Sequence, residues 1–352
     1  MRKKIWLLIV FIPLLLVACD KVHEWPDTPE YVKLHLRLNY DTDMTEWEHE
    51  YKDKNVNELG YGDVYDNNRY RAGVIKYIVR TYSSSDNQVA PEYTQEFVFT
   101  KDVTDGFDHE VTLNMLPGNY KVMVWSDLMS VNRSDGQFYD ATDFAEIKLQ
   151  GVHEGNNNYR DAFRGSKNVT LVANTMERLP DTLDIAMQRP LAKFELITDD
   201  IVDFVQKESN RIASENGVES CDDTSQKTVN MEDYRLVFYY VGFMPNTYSM
   251  YTDTPVDAST GVVFESTLKR LSNTETSIGF DYVFMRDNSS YITVQLGLYS
   301  NDGEVTIISS PIKIPLKRSH HTKIFGSFLT DDSSNGTLIN PGYNGDHNLI
   351  FP

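Results

Sequence analysis

Cysteine is nearly absent from this chain: Cys19 and Cys221 are the only two in 352 residues. With one of them at the end of an apolar leader, no internal disulfide framework is available, and no Cys-x-x-Cys pair exists for metal or redox work. Catalytic signatures are missing too. There is no Gly-x-Ser-x-Gly elbow, no Walker phosphate loop, no Gly-x-Gly-x-x-Gly and no His-Glu-x-x-His. Positive charge is scarce: 33 Lys and Arg stand against 52 Asp and Glu, a formal net charge of −19. So acidic a chain repels phosphate backbones, so no nucleic-acid partner is expected. Helical periodicity is rare, and after residue 18 no long apolar run occurs. Aromatics, by contrast, are plentiful at 12%, with 21 Tyr and 17 Phe, a composition suited to packed strands and not to disorder.

The leader is informative. Arg2, Lys3 and Lys4 form a basic patch, and residues 5–18 are apolar. About 14 residues at 1.5 Å each span roughly 21 Å as a helix, short of the roughly 30 Å hydrocarbon core, which favours a cleaved signal over a transmembrane helix. Leu16-Val17-Ala18-Cys19 resembles a bacterial lipobox. The resemblance implies that the Cys19 thiol is alkylated by diacylglycerol, that residues 1–18 are removed, and that the new amino terminus is acylated, for example by palmitate. Each buried CH₂ then contributes about 0.8 kcal/mol, and two or more chains anchor stably. The expectation is a surface-exposed lipoprotein of the outer membrane. The plainer alternative is an ordinary signal with a bystander cysteine.

Length predicts two domains. Residues 19–30 are polar, contain two prolines and read as a tether. "YVKLHLRLNY" (31–40) alternates cleanly, with Val32, Leu34, Leu36, Leu38 and Tyr40 on one face, and predicts a half-buried strand. Residues 41–72 are polar and read as a long loop with a helical turn around "MTEWEHEY". Short strands follow over 73–82, 93–100, 109–116, 116–127, 144–152 and 168–174, with Pro117-Gly118 as a turn. Pro180-Asp181 interrupts the pattern, placing a joint within 176–187 and dividing the chain into domains 31–178 and 179–352. One helix is predicted, over 199–217. Ile201, Phe204, Val205, Glu208 and Ile212 share its stripe, Asp199 or Asp200 can cap it, and Gly217 ends it. Strands over 234–243, 277–286, 291–299, 304–316 and 321–330 complete a mostly β chain.

At "LPGNYKVMVWSD" (116–127), "YRDAFRG" (159–165) and "LDIAMQRPLAKFELIT" (183–198) the chain resembles the fimbrillin and fimbrial-anchor lipoproteins of type V, donor-strand pili. The matching residues are Pro117, Gly118, Tyr120, Val122, Val124 and Trp125, then Arg189, Ala192 and Lys193. The resemblance implies two tandem transthyretin-like β-sandwich domains, one helix in the second, and no enzymatic activity. It also implies a structural role as anchor, accessory or subunit of a fimbria, in which other subunits are partners by strand addition. Strand 31–40 is then the candidate exchangeable strand. Shaft subunits of this group are cut by a trypsin-like protease near the first strand; anchors keep that strand and their lipid. Candidate processing sites are Lys52, Lys54, Arg69 and Arg71, whereas Arg37 lies within the strand and is protected while it pairs. The match to shaft subunits is incomplete, which favours an accessory or anchor role.

Site chemistry is otherwise sparse. His320 and His321 are adjacent and point to opposite faces of a strand, so no metal site is expected there. The acidic stretches 134–143 and 330–336 lack a closing bidentate Glu and read as solvated loops. Cys221 sits in an acidic loop, where carboxylates raise a thiol's pKa and quieten it. No cofactor is implied. The alternative function is a surface lipoprotein that binds a glycan or host ligand. Trp125, Tyr239 and Tyr240 lie in strand patterns that suit core packing, whereas Trp47, in the predicted loop, is the better ligand candidate.

Overall fold

The computed structural model describes residues 30–65, 73–85, 88–89, 92–129, 136–173, 181–215, 229, 231–300 and 305–330. The leader, Cys19, Cys221 and the 178/179 division lie outside these residues. The first half contains β1 (Val32–Tyr40), β2 (Met44–Lys52), β3 (Asn55–Tyr65), β4 (Val74–Ser85), β5 (Gln88–Val89), β6 (Gln95–Asp102), β7 (His109–Met115), β8 (Gly118–Met129), β9 (Tyr139–Asp140), β10 (Ile147–Leu149), β11 (Ala162–Leu171) and β12 (Asp181–Met187). The second half contains β13 (Leu191–Thr198), α1 (Ile201–Glu215), β14 (Tyr234–Tyr240), β15 (Met244–Ser249), β16 (Thr254–Ser259), β17 (Val263–Ser266), β18 (Lys269–Arg270), β19 (Thr276–Phe284), β20 (Ser289–Ser300), β21 (Val305–Ile308), β22 (Ile312–Lys317) and β23 (His320–Gly326). The fold is mostly β, as the alternation predicts. Among the described residues α1 is the one α-helix, and no helix there is long and apolar enough to cross a membrane.

A three-stranded sheet, β12-β1-β7, faces a sheet in which β11, β8, β4 and β6 are neighbours. Period-two alternation sends Leu34, Leu36 and Leu38 of β1 and Leu183 and Ile185 of β12 inward against Tyr77, Val79, Val122 and Val124. The Pro117-Gly118 turn works because Gly118 takes φ +155, and its missing side chain leaves room for the Tyr120 ring. In the second sandwich, a sheet ordered β18-β19-β13-β23-β2-β3 covers one built from β17, β14, β20, β21 and β22. Its core joins Phe194, Leu196, Phe238, Leu296, Ile314 and Ile324, and Phe204 of α1 packs onto it. Glu208, the polar residue on the helix stripe, is buried because Arg211 pairs with it at 2.6 Å and the Tyr234 hydroxyl donates to it at 2.8 Å. Asp200 does more than precede the helix. Its carboxylate accepts from the backbone of Leu329 at 3.0 Å and Thr330 at 2.7 Å.

Two strand assignments need correction. Residues 44–65 are not a loop with a helical turn but the β2–β3 hairpin, which extends the second sandwich; β2 runs parallel to β23. Its alternation is masked by glutamates. Glu46 is buried, and Lys323 of β23 reaches it at 2.5 Å. The span 304–316 is two strands, β21 and β22, not one. Pairing also crosses the expected division of the chain. Residues 181–187, read as opening the second strand set, lie parallel to β1 in the first sandwich, with Leu36 beside Leu183 and Leu38 beside Ile185.

A third cluster joins the two sandwiches. Ile78, Tyr82, Met123 and Trp125 pack with Phe138, Tyr139 and Phe144 and with Tyr248, Tyr282 and Phe284. Asp127 is buried beside this layer, and Trp125 Nε1 donates to its Oδ1 at 3.0 Å. Burial pushes the Asp127 carboxyl up to about 7, against the opposing pull of Lys76 and the indole hydrogen bond. The unfolded chain therefore releases this proton earlier, and folding is penalised progressively as pH rises from about 4 to 7. Asp127→Asn keeps an acceptor for the indole and carries no charge. It is expected to stabilise the protein by a few kcal/mol at pH 8 and to match the wild type near pH 4, as read by urea unfolding at both pH values.

Candidate functional site

β1 occupies the middle lane of its sheet, antiparallel to β7 and parallel to β12. Val32, Leu34, Leu36 and Leu38 are no more than 2% exposed. Tyr40 ends the apolar face. Its hydroxyl donates to Ser126 Oγ at 2.8 Å, its backbone N–H to Asp108 Oδ1 at 2.8 Å, and its ring meets Phe163 edge-on at 5.0 Å. Burial, with Tyr77 adding to it, raises the Tyr40 hydroxyl well above its ordinary pKa, so it stays a neutral donor. On the outer face Arg37 pairs with Glu110 at 3.1 Å and lies 3.9 Å from Asp184, and His35 Nδ1 meets Thr112 Oγ1 at 2.7 Å. These exposed contacts set register and contribute little energy.

The connector after β1 is gripped by Arg189. This side chain is 1% exposed, and its Nε donates to both oxygens of Asp161 at 2.9 Å. Nη1 donates to the carbonyls of Asp41 and Asp43, each at 3.1 Å, and Nη2 to that of Thr42 at 2.7 Å. The guanidinium also lies 4.6 Å from the Phe163 ring centroid. One buried fork thus ties three consecutive carbonyls between β1 and β2 to the carboxylate that precedes β11. Lysine has neither the reach in two directions nor the donor count for this. Arg189 and the Asp161–Phe163 segment both stand in the stretches that carry the family resemblance. Their joint action on residues 41–43 had no signal in the sequence, because the partners are backbone atoms more than a hundred residues away.

The candidate processing residues fall on the far side of β2. Lys52 ends that strand, and Lys54 lies in the tight turn to β3, where Asp53 has φ 52° and Lys54 φ 63°, the positive pair of a type I′ hairpin. Both lysines are exposed. Arg69 and Arg71 lie outside the described residues. Arg37 is inside the paired strand.

Trp47 is a strand residue and not a loop residue. Its ring lies 6.5 Å from that of Tyr61, its partner on β3, and its Nε1 donates to Glu58 Oε1 at 3.0 Å. Trp125 is fully buried. Tyr240 is buried and donates to Asp281 Oδ2 at 2.6 Å, and the Tyr239 and Tyr299 hydroxyls lie 2.7 Å apart. Asp281 also binds His153 at 2.6 Å and the buried Arg160, a polar knot that sequence reasoning missed. Arg160 and Asp281 are joined in one hydrogen-bonded cluster that holds residues 153–160 against β19. His321 is buried against Glu195 at 3.0 Å, while His320 faces the other way, toward the Tyr61 ring. Among the described residues no group of three or more His, Cys, Asp or Glu could hold a metal ion.

Comparison with solved structures finds likenesses at low identity. A candidate adhesin from Bacteroides thetaiotaomicron aligns with TM-score 0.43 and 11% identity over 81% of each chain. The tip fimbrial protein Mfa3 from Porphyromonas gingivalis aligns with TM-score 0.35 and 9% identity, again over 81% of each chain. The fimbrial anchor protein Mfa2 from the same organism aligns with TM-score 0.34 and 12% identity, over 79% of this chain and 82% of that one. No curated protein matches. Residues 28–352 match the model of a family of unknown function (DUF6562), and the chain belongs to that family.

Proposed function

We propose that the chain is a lipid-anchored structural component of a type V fimbria, of the kind that keeps its first strand. The observation that carries this reading is the position of β1: central in its sheet, buried along one face, and tied to its successor by Arg189. Such a strand is an integral part of the sandwich, yet it follows directly on the tether and the lipobox-like Cys19. An anchor needs both features. The strand must stay seated so that the folded body remains joined to its lipid. The proposed partners are other fimbrial subunits, met by strand addition, and the outer membrane, met through the acyl chains on Cys19. Two sandwich domains in tandem suit a stalk-like part better than an enzyme.

The test is made in the native host with a tag at the carboxyl end. Surface-exposed protein should begin at Cys19, incorporate labelled palmitate and sediment with outer membranes. Cys19→Ala should lose the label and the membrane. A surface form that begins after residue 52 or 71, or a Cys19→Ala variant that is acylated as before, would contradict the proposal.

A further inference from the structure

One open cavity of about 190 Å³ lies at an end of the second sandwich, between the β15–β16 hairpin and strands β19, β20 and β22. Its rim carries two of the most exposed aromatic side chains of the described protein, Phe243 at 52% and Tyr291 at 59%. Neither ring is needed to fill the core. Phe243 leaves the chain after Gly242, whose φ of +103° suits glycine and aims the following residue outward. The Lys313 ammonium sits 3.7 Å from the Tyr291 ring centroid and orients that ring. The rest of the lining is largely apolar and includes Pro245, Pro255 and the buried Met285.

The rim is also polar. Asp257, Ser290 and Arg286 line the same opening. Asp257 Oδ1 accepts from the backbone of Ala258 at 2.8 Å, which fixes the carboxylate and leaves Oδ2 with no hydrogen-bond partner among the described residues. The Ser290 hydroxyl has none there either. This combination selects among occupants. An apolar side chain from a protein partner would satisfy the rings but strip water from Asp257 and Ser290 without replacing it, which is costly. A pyranose has an apolar C–H face for the rings and a border of hydroxyls that can both donate to Asp257 and accept from Ser290 and Arg286. The volume is below the roughly 300–1,000 Å³ of drug-sized sites, so it takes one ring and not an oligomer.

The geometry points to a binding site for a single pyranose residue of a glycan, packed against Phe243 and Tyr291 with its hydroxyls on Asp257, Ser290 and Arg286. This activity stands apart from the fimbrial role, and failure of either leaves the other intact. The test uses the chain from Cys19 onward, expressed without its leader. Saturation-transfer NMR is run separately with the methyl pyranosides of glucose, galactose, mannose, fucose and N-acetylglucosamine, and with N-acetyl-phenylalanine amide as an apolar peptide probe. At least one pyranoside should bind. Phe243→Ala and Tyr291→Ala should each weaken it about tenfold or more, as truncated aromatic anchors do. Both side chains are exposed enough that the variants should fold, which their thermal unfolding checks. No binding by any pyranoside, binding that survives both substitutions, or binding of the phenylalanine amide alone would overturn the assignment.

Discussion

Replacing Arg189 by methionine is expected to destabilise the protein by about 3–5 kcal/mol, the range seen when one partner of a buried ion pair is removed. The loss has three parts. Asp161, fully buried, keeps a carboxylate but loses both bonds to Nε. The carbonyls of Asp41, Thr42 and Asp43 lose their buried donors. The contact with the Phe163 ring loses its charge. Arg189→Lys should recover little, since one ammonium cannot serve a carboxylate and three carbonyls set around a planar fork. Urea unfolding should show the midpoint falling for both variants with an unchanged slope. The double variant Arg189→Met, Asp161→Leu should recover part of the loss, because it removes the stranded charge but not the orphaned carbonyls. A single variant within about 1 kcal/mol of wild type would mean that the fork is not what seats the connector.

How much of this was legible depends on where each residue's partner lies. β1 announces itself because Leu34, Leu36 and Leu38 face one core and Val32 is buried too, and its alternation needs no outside help. α1 is nearly as plain; its apparent flaw, Glu208, is resolved by an arginine one turn on and a tyrosine on β14. β2 hides its alternation for the opposite reason. Glu46 is tolerable in a buried strand only because Lys323, far along the chain, arrives beside it. The pairing of β12 with β1 is parallel and spans more than a hundred residues, so no local period reports it. Arg189 could be seen as a motif residue but not understood as one, since most of its bonds go to main-chain atoms that any sequence would supply. The exposed rings of Phe243 and Tyr291 left no trace either, because aromatic residues at strand ends look alike whether they face the core or the solvent.

Deleting residues 31–40 is expected to unfold the first sandwich, and a cut in the β2–β3 turn is expected to leave it intact. Val32, Leu34, Leu36 and Leu38 each contribute about 1.5–3 kcal/mol by burial. Together they rival the roughly 5–15 kcal/mol that holds a typical domain. Without them β7 and β12 become bare edges flanking an uncovered core, an acceptor lane for any strand of matching alternation. A peptide of residues 31–40 supplied in trans should therefore restore much of the lost stability in a concentration-dependent way. A cut after Lys52 or Lys54 is a different event. The severed segment still carries β1 in its lane, the connector in the grip of Arg189, and β2 paired along β23. To leave, it must break contacts in both sandwiches at once. The nicked chain should elute as one species under native conditions and separate into two only in denaturant. Adding Arg189→Met to the nicked chain should speed release, because the link between the two pairings is then unheld. Loss of the amino-terminal piece from the nicked wild type under native conditions would show that β1 is readily exchanged and that the chain is built to be processed. Retention of the piece, with rescue of the deletion by peptide, would show a lane that accepts a strand but is normally kept filled by its own.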